Sequence, residues 1–225
     1  MDREKIEKKS NFYKKRIENK ENFGELEYFL LAICYVELGD YPVAQQLFEE
    51  ASSTMLGPIK AWRKASQVNW LVENWILSGN RDLLPDIGKE LKAFKMQVNV
   101  SVANSPVANY AYGLFELLNP TGMDFSTPIN ILTKRPKWKD LVAIGKTFKA
   151  ILDRDKIAFN MALEELLIVH QGKAKHGILR ETAEGFMCMS AMSLAYAAYQ
   201  YGLKANVKSE YYSEGYLDFL IEHTM

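Results

Sequence analysis

Cysteine and histidine are scarce in this 225-residue chain, which has two of one and three of the other, and the shortage removes whole classes of chemistry. Cys34 and Cys188 each sit in an apolar helical pattern. They make no disulfide framework and suit a reducing compartment, as small core residues. His170, His176 and His223 have neither ligand spacing nor neighbouring cysteines or paired carboxylates. No zinc or di-iron site is expected from them, and structural or surface roles are. Charge of one sign is also missing: Lys+Arg and Asp+Glu number 28 each, for a formal net charge of +0. That withholds the broad cationic field by which a protein grips nucleic acid. The most apolar stretch, Phe186 to Tyr199, is too short for a bilayer core of about 30 Å and carries Ser190 and Ser193. Met1 to Lys20 alternates Lys, Arg and Glu without an apolar segment, so no secretory leader is expected. There is no Gly-rich phosphate loop and no Gly-x-Ser-x-Gly elbow, and neither cysteine has a setting that would lower its pKa. The expectation is a cytoplasmic protein with no cofactor, no direct nucleic-acid partner, no membrane insertion and no enzymatic activity.

What is present is helical periodicity, in a chain that is 48% hydrophobic and 25% charged and so able to build a core unaided. Ile6, Tyr13 and Ile17 predict a helix from about Arg3 to Lys20, broken at Asn22 to Gly24. Leu26, Phe29, Leu30, Ile33 and Val36 mark the buried face of a second, ending at Gly39. Asp40 is placed to cap a third, with Pro42 in its first turn and Val43, Ala44, Leu47, Phe48 and Ala51 facing inward. Helices follow over Ile59 to Leu77, Asp82 to Met96 and Ser101 to Leu118. The stretch 119–136 holds Pro120, Pro128 and Pro136 without a clear period; it reads as a long surface connection or as a joint between two halves. Beyond it come Trp138 to Leu152, Asp155 to His170, Ala183 to Tyr201 and Ser213 to Glu222. The expected fold is all-α: about ten helices in stacked antiparallel pairs, without significant sheet, in a single domain over 1–225.

Other features have a plain packing explanation. Glu49-Glu50 and Glu164-Glu165 are adjacent glutamates on helices and are expected to face water rather than act as acid and base. Trp62, Trp70 and Trp75, like Met187, Met189 and Met192, are expected to pack in the core rather than line a ligand groove. Charge is segregated, however. Residues 21–53 carry seven acids and no base, Ser209 onward again only acids, while Lys134 to Lys156 is rich in lysine. Such polarity could steer a basic partner. Tyr211, Tyr212 and Tyr216, with Glu210 and Glu214 beside them and Glu49 and Glu50 elsewhere, are the candidate contact residues. Tyrosine offers large amphipathic area at small entropic cost. The alternative is that Tyr212 and Tyr216, four apart, pack inward with Leu217 and Leu220.

Two segments resemble known families. Tyr28 to Ala51, with the Leu38-Gly39-Asp40-Tyr41 turn followed by Ala44, Phe48 and Ala51, resembles one tetratricopeptide unit. That resemblance implies a helical hairpin and allows an adaptor that holds a peptide or partner protein. The alanine-rich run Glu184 to Leu203 and the following Ser209 to Leu217 resemble the ending of immunity protein family forty-nine of bacterial polymorphic toxin systems. The Ala158 to His170 helix is compatible with it, whereas Ser213 stands where a proline would be expected. This second resemblance implies an immunity protein that binds and neutralises a cognate toxin protein.

Overall fold

Asp2 opens the first helix by accepting a hydrogen bond from the Glu4 N–H, which satisfies one of the donors that a helix start leaves orphaned. The computed structural model describes residues 2–19, 24–56, 65–97, 101 and 104–224. Among them lie eleven α-helices and no strand. The helices are α1 (Arg3–Glu18), α2 (Gly24–Leu38), α3 (Tyr41–Met55), α4 (Ala65–Ser78), α5 (Leu84–Gln97), α6 (Pro106–Leu118), α7 (Ser126–Thr133), α8 (Lys139–Leu152), α9 (Lys156–His176), α10 (Met189–Gln200) and α11 (Glu214–Thr224). Trp62, the expected helix start at Ile59 and the break at Asn22 lie outside the described residues.

Local chemistry explains most of the boundaries. Gly39 takes a left-handed φ of +82°, and the N–H groups of Gly39 and Asp40 turn back to the carbonyls of Val36 and Tyr35, closing α2. Asp40, expected to cap α3 by its side chain, makes no such bond; only its backbone carbonyl takes part, accepting from Ala44. Arg154 repeats the left-handed ending after α8 at φ 54°, and the Asp155 carboxylate then accepts from the Ile157 and Ala158 N–H groups to start α9. The helix predicted over Ala183 to Tyr201 is broken. A 3-10 turn at Ala183–Gly185 precedes α10, and the Cys188 N–H is spent on the Tyr211 carbonyl at 2.9 Å instead of on a helical turn. The long connection 119–136 is also less irregular than expected. Glu116 gathers the N–H groups of Thr121, Gly122 and Met123 on one carboxylate oxygen. The unforeseen α7 then follows, with Pro128 in its first turn and Leu132 fully buried.

In sequence order α1 packs on α2, α2 on α3, α3 on α4, α4 on α6, α6 on α7 and α8, and α8 on α9. The 3-10 turn Ala183–Gly185 touches both α2 and α9, and α10 lies against α4, α6, α8 and α9. A succession of helices therefore curves about α10 as a central post. Consistent with that position, Met189, Ala191, Met192, Ser193, Leu194, Ala195, Tyr196, Ala197 and Ala198 are all buried, as expected of a helix apolar on every side. α2 is similar: α1 covers its second side, so Leu31, Ala32 and Cys34 are buried along with the predicted face. The buried apolar residues form one continuous cluster from Ile6 to Leu220, and α6, α7 and α8 pack directly across the 119–136 connection.

The post leaves no room for added atoms. Ala195 is 1% exposed, and Ala195→Leu is expected to destabilise by about 1–3 kcal/mol through overpacking. Equilibrium urea unfolding checks this, and an unchanged midpoint would place Ala195 at the surface.

Candidate functional site

Two places stand out, one on the outside of the array and one nearer its core. On α9, Phe159, Leu163, Leu166 and Leu167 point into the core, yet Ile157, Met161 and Ile168 on the opposite side are 75%, 67% and 62% exposed. Their spacing of four and seven residues sets them on one stripe. Trp138, at the start of α8, is 44% exposed. Between the two helices lies a groove of about 880 Å³ whose walls include Pro136, Val142, Met161, Ile168, Val169 and His176. Near it Glu165 pairs with Lys146 at 2.7 Å, Asp153 with Lys149 at 2.6 Å and Asp140 with Lys173 at 2.6 Å, while Glu164, on the groove wall between Met161 and Ile168, is exposed. Lys134, Lys137 and Lys139 are exposed, and no carboxylate pairs with them among the described residues. Arg135 lies over the Trp138 ring at 5.3 Å. The face is apolar on either side of Glu164, and basic residues cluster beside it at the start of α8.

Nearer the core, α4, α8, α9 and the start of α10 border a half-open cavity of about 200 Å³ lined by Glu73, Asn69, Trp70, His170, Cys188 and Ser190, among others, and by the exposed Ile178. Glu73 is 2% exposed. One of its carboxylate oxygens accepts from Tyr110 Oη at 2.8 Å and Ser190 Oγ at 2.6 Å, the other from Asn69 Nδ2 at 3.0 Å. Burial lifts Glu73 from the usual 4.5 to about 7; the hydrogen bonds from Ser190 and Tyr110 oppose the rise and nearby Glu184 adds to it. Burial also raises Glu184, pushes the Cys188 thiol up to about 12 and, with help from Lys173, drops His170 from 6.5 to about 4. His170 is thus a neutral ring at physiological pH, set edge-on to Tyr211 with centroids 5.2 Å apart. Its Nε2 and the Oδ1 of Asn69 are buried without hydrogen-bond partners.

The predicted contact residues scatter. Tyr216 is 0% and Tyr211 4% exposed, so both rings are largely buried in the folded chain. The cause is the last helix docking on its own chain: Tyr216 Oη donates to the Leu77 carbonyl at 2.6 Å and its ring meets Tyr41 and Phe48. Tyr212 is half-buried. Glu49 accepts from Asn80, Glu210 pairs with Lys175 at 3.2 Å, and Glu50 and Glu214 are exposed. None of these acids lines the groove beside α9, whose walls carry Glu164, Glu165, Lys139 and Lys173. Sequence reasoning missed that face because α9 is apolar on two sides, which blurs the periodic signal. It passed over Glu73 although the run Trp70 to Ser78 has too few polar residues for a wet helix face, a sign that its one carboxylate is interior. Glu164, as expected, faces water, and Glu165 is partly accessible. Cys34 and Cys188 are buried as free thiols.

No described helix is long and apolar enough to cross a membrane, and no group of three or more potential metal ligands occurs among the described residues. The fold class is an all-helical array wound about a central helix. Compared with protein-family models, curated proteins and solved structures, the chain matches none.

Proposed function

We propose that the protein works by binding another protein and performs no reaction, and that the partner is a toxin domain which it neutralises in the bacterial cytoplasm. The observation that carries partner binding is the stripe Ile157, Met161 and Ile168 beside an open groove. Large apolar side chains left exposed along one helix face, with Glu164 among them, are the composition of an interaction surface on a folded domain. The cluster of Lys134, Arg135, Lys137 and Lys139 beside it commits the partner to an acidic docking surface. The toxin class is supported by the resemblance of residues 184–217 to the ending of immunity protein family forty-nine. A peptide-holding adaptor would need an open inner side to its helix array, and here α10 occupies that side.

Co-expression with the product of an adjacent toxin gene, followed by binding kinetics, tests the proposal. Ile168→Asp should leave the helical signal and unfolding midpoint unchanged, because the residue is exposed, while weakening the complex by about 30-fold or more, as for an interface hot spot. Lys137→Glu with Lys139→Glu should chiefly slow association and alter its salt dependence. Wild-type affinity in Ile168→Asp would remove this face from the interface. No binding and no protection from the toxin would end the immunity assignment.

A further inference from the structure

The cavity around Glu73 is unexplained by partner docking on the outer face of α9. Its volume of about 200 Å³ is roughly ten times what one water molecule requires. Phe29 and Trp70, stacked with centroids 6.0 Å apart, share its lining with Ile144, Leu166 and Met187. These walls are apolar and aromatic. The polar groups include three carboxylates, Glu73, Glu184 and Asp140, against one cation, Lys173. Glu73 is a carboxylate whose bonds from Tyr110, Ser190 and Asn69 bring hydrogens but no positive charge. Asn69 Oδ1 is buried and unmatched, and Glu184 adds a second carboxylate. The Nε2 of His170, a residue 9% exposed, is buried without a partner. The cation of the lining, Lys173, is engaged by Asp140 at 2.6 Å. Buried carboxylates without a counter-charge are costly, and an unmatched acceptor beside them adds to the cost.

We propose that this cavity binds a small organic cation of the primary-amine class: its ammonium group pairs with the Glu73 carboxylate, and its alkyl stem lies between Trp70, Ile144 and Leu166. An ammonium group brings three donors and a full charge to a site in which carboxylates outnumber cations, and Trp70 in the lining offers cation–π attraction. Alkyl burial against the apolar walls completes the match. The charged and titratable groups facing the site are Glu73 and Ser190 with Tyr110 behind them, Glu184, the Asp140–Lys173 pair, neutral His170 and the Cys188 thiol. Of these, Glu73 titrates near neutrality, so binding strengthens as it ionises.

The test is titration of the whole protein with n-butylammonium chloride against matched sodium chloride, followed by amide NMR at Cys188 and Ser190. The expected result is saturable binding that tightens about tenfold between pH 6 and 8, the ratio of ionised fractions for a group titrating near 7. Glu73→Gln should lose both the binding and its pH dependence. Uncharged 1-butanol binding as well as the amine, or binding that does not change with pH, overturns the proposal; the wild-type pH series decides alone should Glu73→Gln not fold. A lysine derivative blocked at both main-chain ends separates the sources. If it binds like butylammonium, the site receives a protein side chain; if only the free amine binds, it receives a small metabolite. Either result upholds the cationic site. Because no toxin is involved, failure here leaves the partner-binding proposal untouched.

Discussion

Tyr216→Ala is expected to cost about 3–5 kcal/mol of folding stability, the range for removing a large buried ring, and to lower the urea midpoint by a large fraction of its wild-type value. The ring is fully buried against Tyr41, Phe48 and Phe219. Its hydroxyl supplies the donor that satisfies the carbonyl of Leu77 near the end of α4, where helix carbonyls otherwise lack partners. Tyr216→Phe keeps the ring and leaves that buried carbonyl unpaired, so about 1–3 kcal/mol of loss is expected from it alone. Urea unfolding followed by circular dichroism measures both. A Tyr216→Ala protein with a wild-type midpoint would return this residue to the surface and restore it as a candidate partner contact.

The second large effect is electrostatic. A glutamate whose folded pKa is raised keeps its proton in the native state where the unfolded chain has released it, so its contribution to stability falls as pH rises between the two values. For Glu73 those are 4.5 and about 7, a gap that corresponds to about 3 kcal/mol at about 1.4 kcal/mol per pH unit. The raw profile hides it. His170, lowered from 6.5 to about 4, must shed a proton to fold in acid and therefore adds stability as pH rises through 4 to 6.5. Glu37, raised to about 7 by burial, acts in the same sense as Glu73. The measurement is thus a difference. Glu73→Gln should gain on the wild type by about 3 kcal/mol between pH 4.5 and 8 in paired urea titrations. The substitution is sterically mild: a rotation of the Asn69 amide would offer its unmatched Oδ1 to the new Gln N–H₂, while Tyr110 and Ser190 keep their acceptor. A pH-independent difference between the two proteins would mean that Glu73 is already ionised in acid.

These two residues also show how far the sequence could be read. Helix existence and turns were legible because they depend on local signals: apolar spacing, Gly39 and Gly202 at left-handed positions, and Asp155 at a helix start. The break before α10 was not, since it depends on a hydrogen bond from Cys188 to Tyr211, far along the chain. Nor could spacing say what Tyr212, Tyr216, Leu217 and Leu220 cover, because an amphipathic last helix docks as well on its own chain as on another. Glu73 was hidden for a related reason. Its partners Tyr110 and Ser190 come from α6 and α10, and only tertiary structure brings them together.

The placement of α10 has a kinetic consequence. Residues 189–200 form the post about which α4, α6, α8 and α9 are arranged, yet the ribosome makes them after all of those helices. During synthesis the earlier helices can pair with their neighbours, but their inward sides stay uncovered until the post arrives. Such a chain closes its core late and through contacts distant in sequence, which slows folding relative to an array stabilised by neighbours alone. The nascent protein therefore passes through an open, apolar-lined stage that invites chaperone binding or self-association, and a chain arrested before residue 189 should accumulate as aggregate rather than as a smaller folded domain.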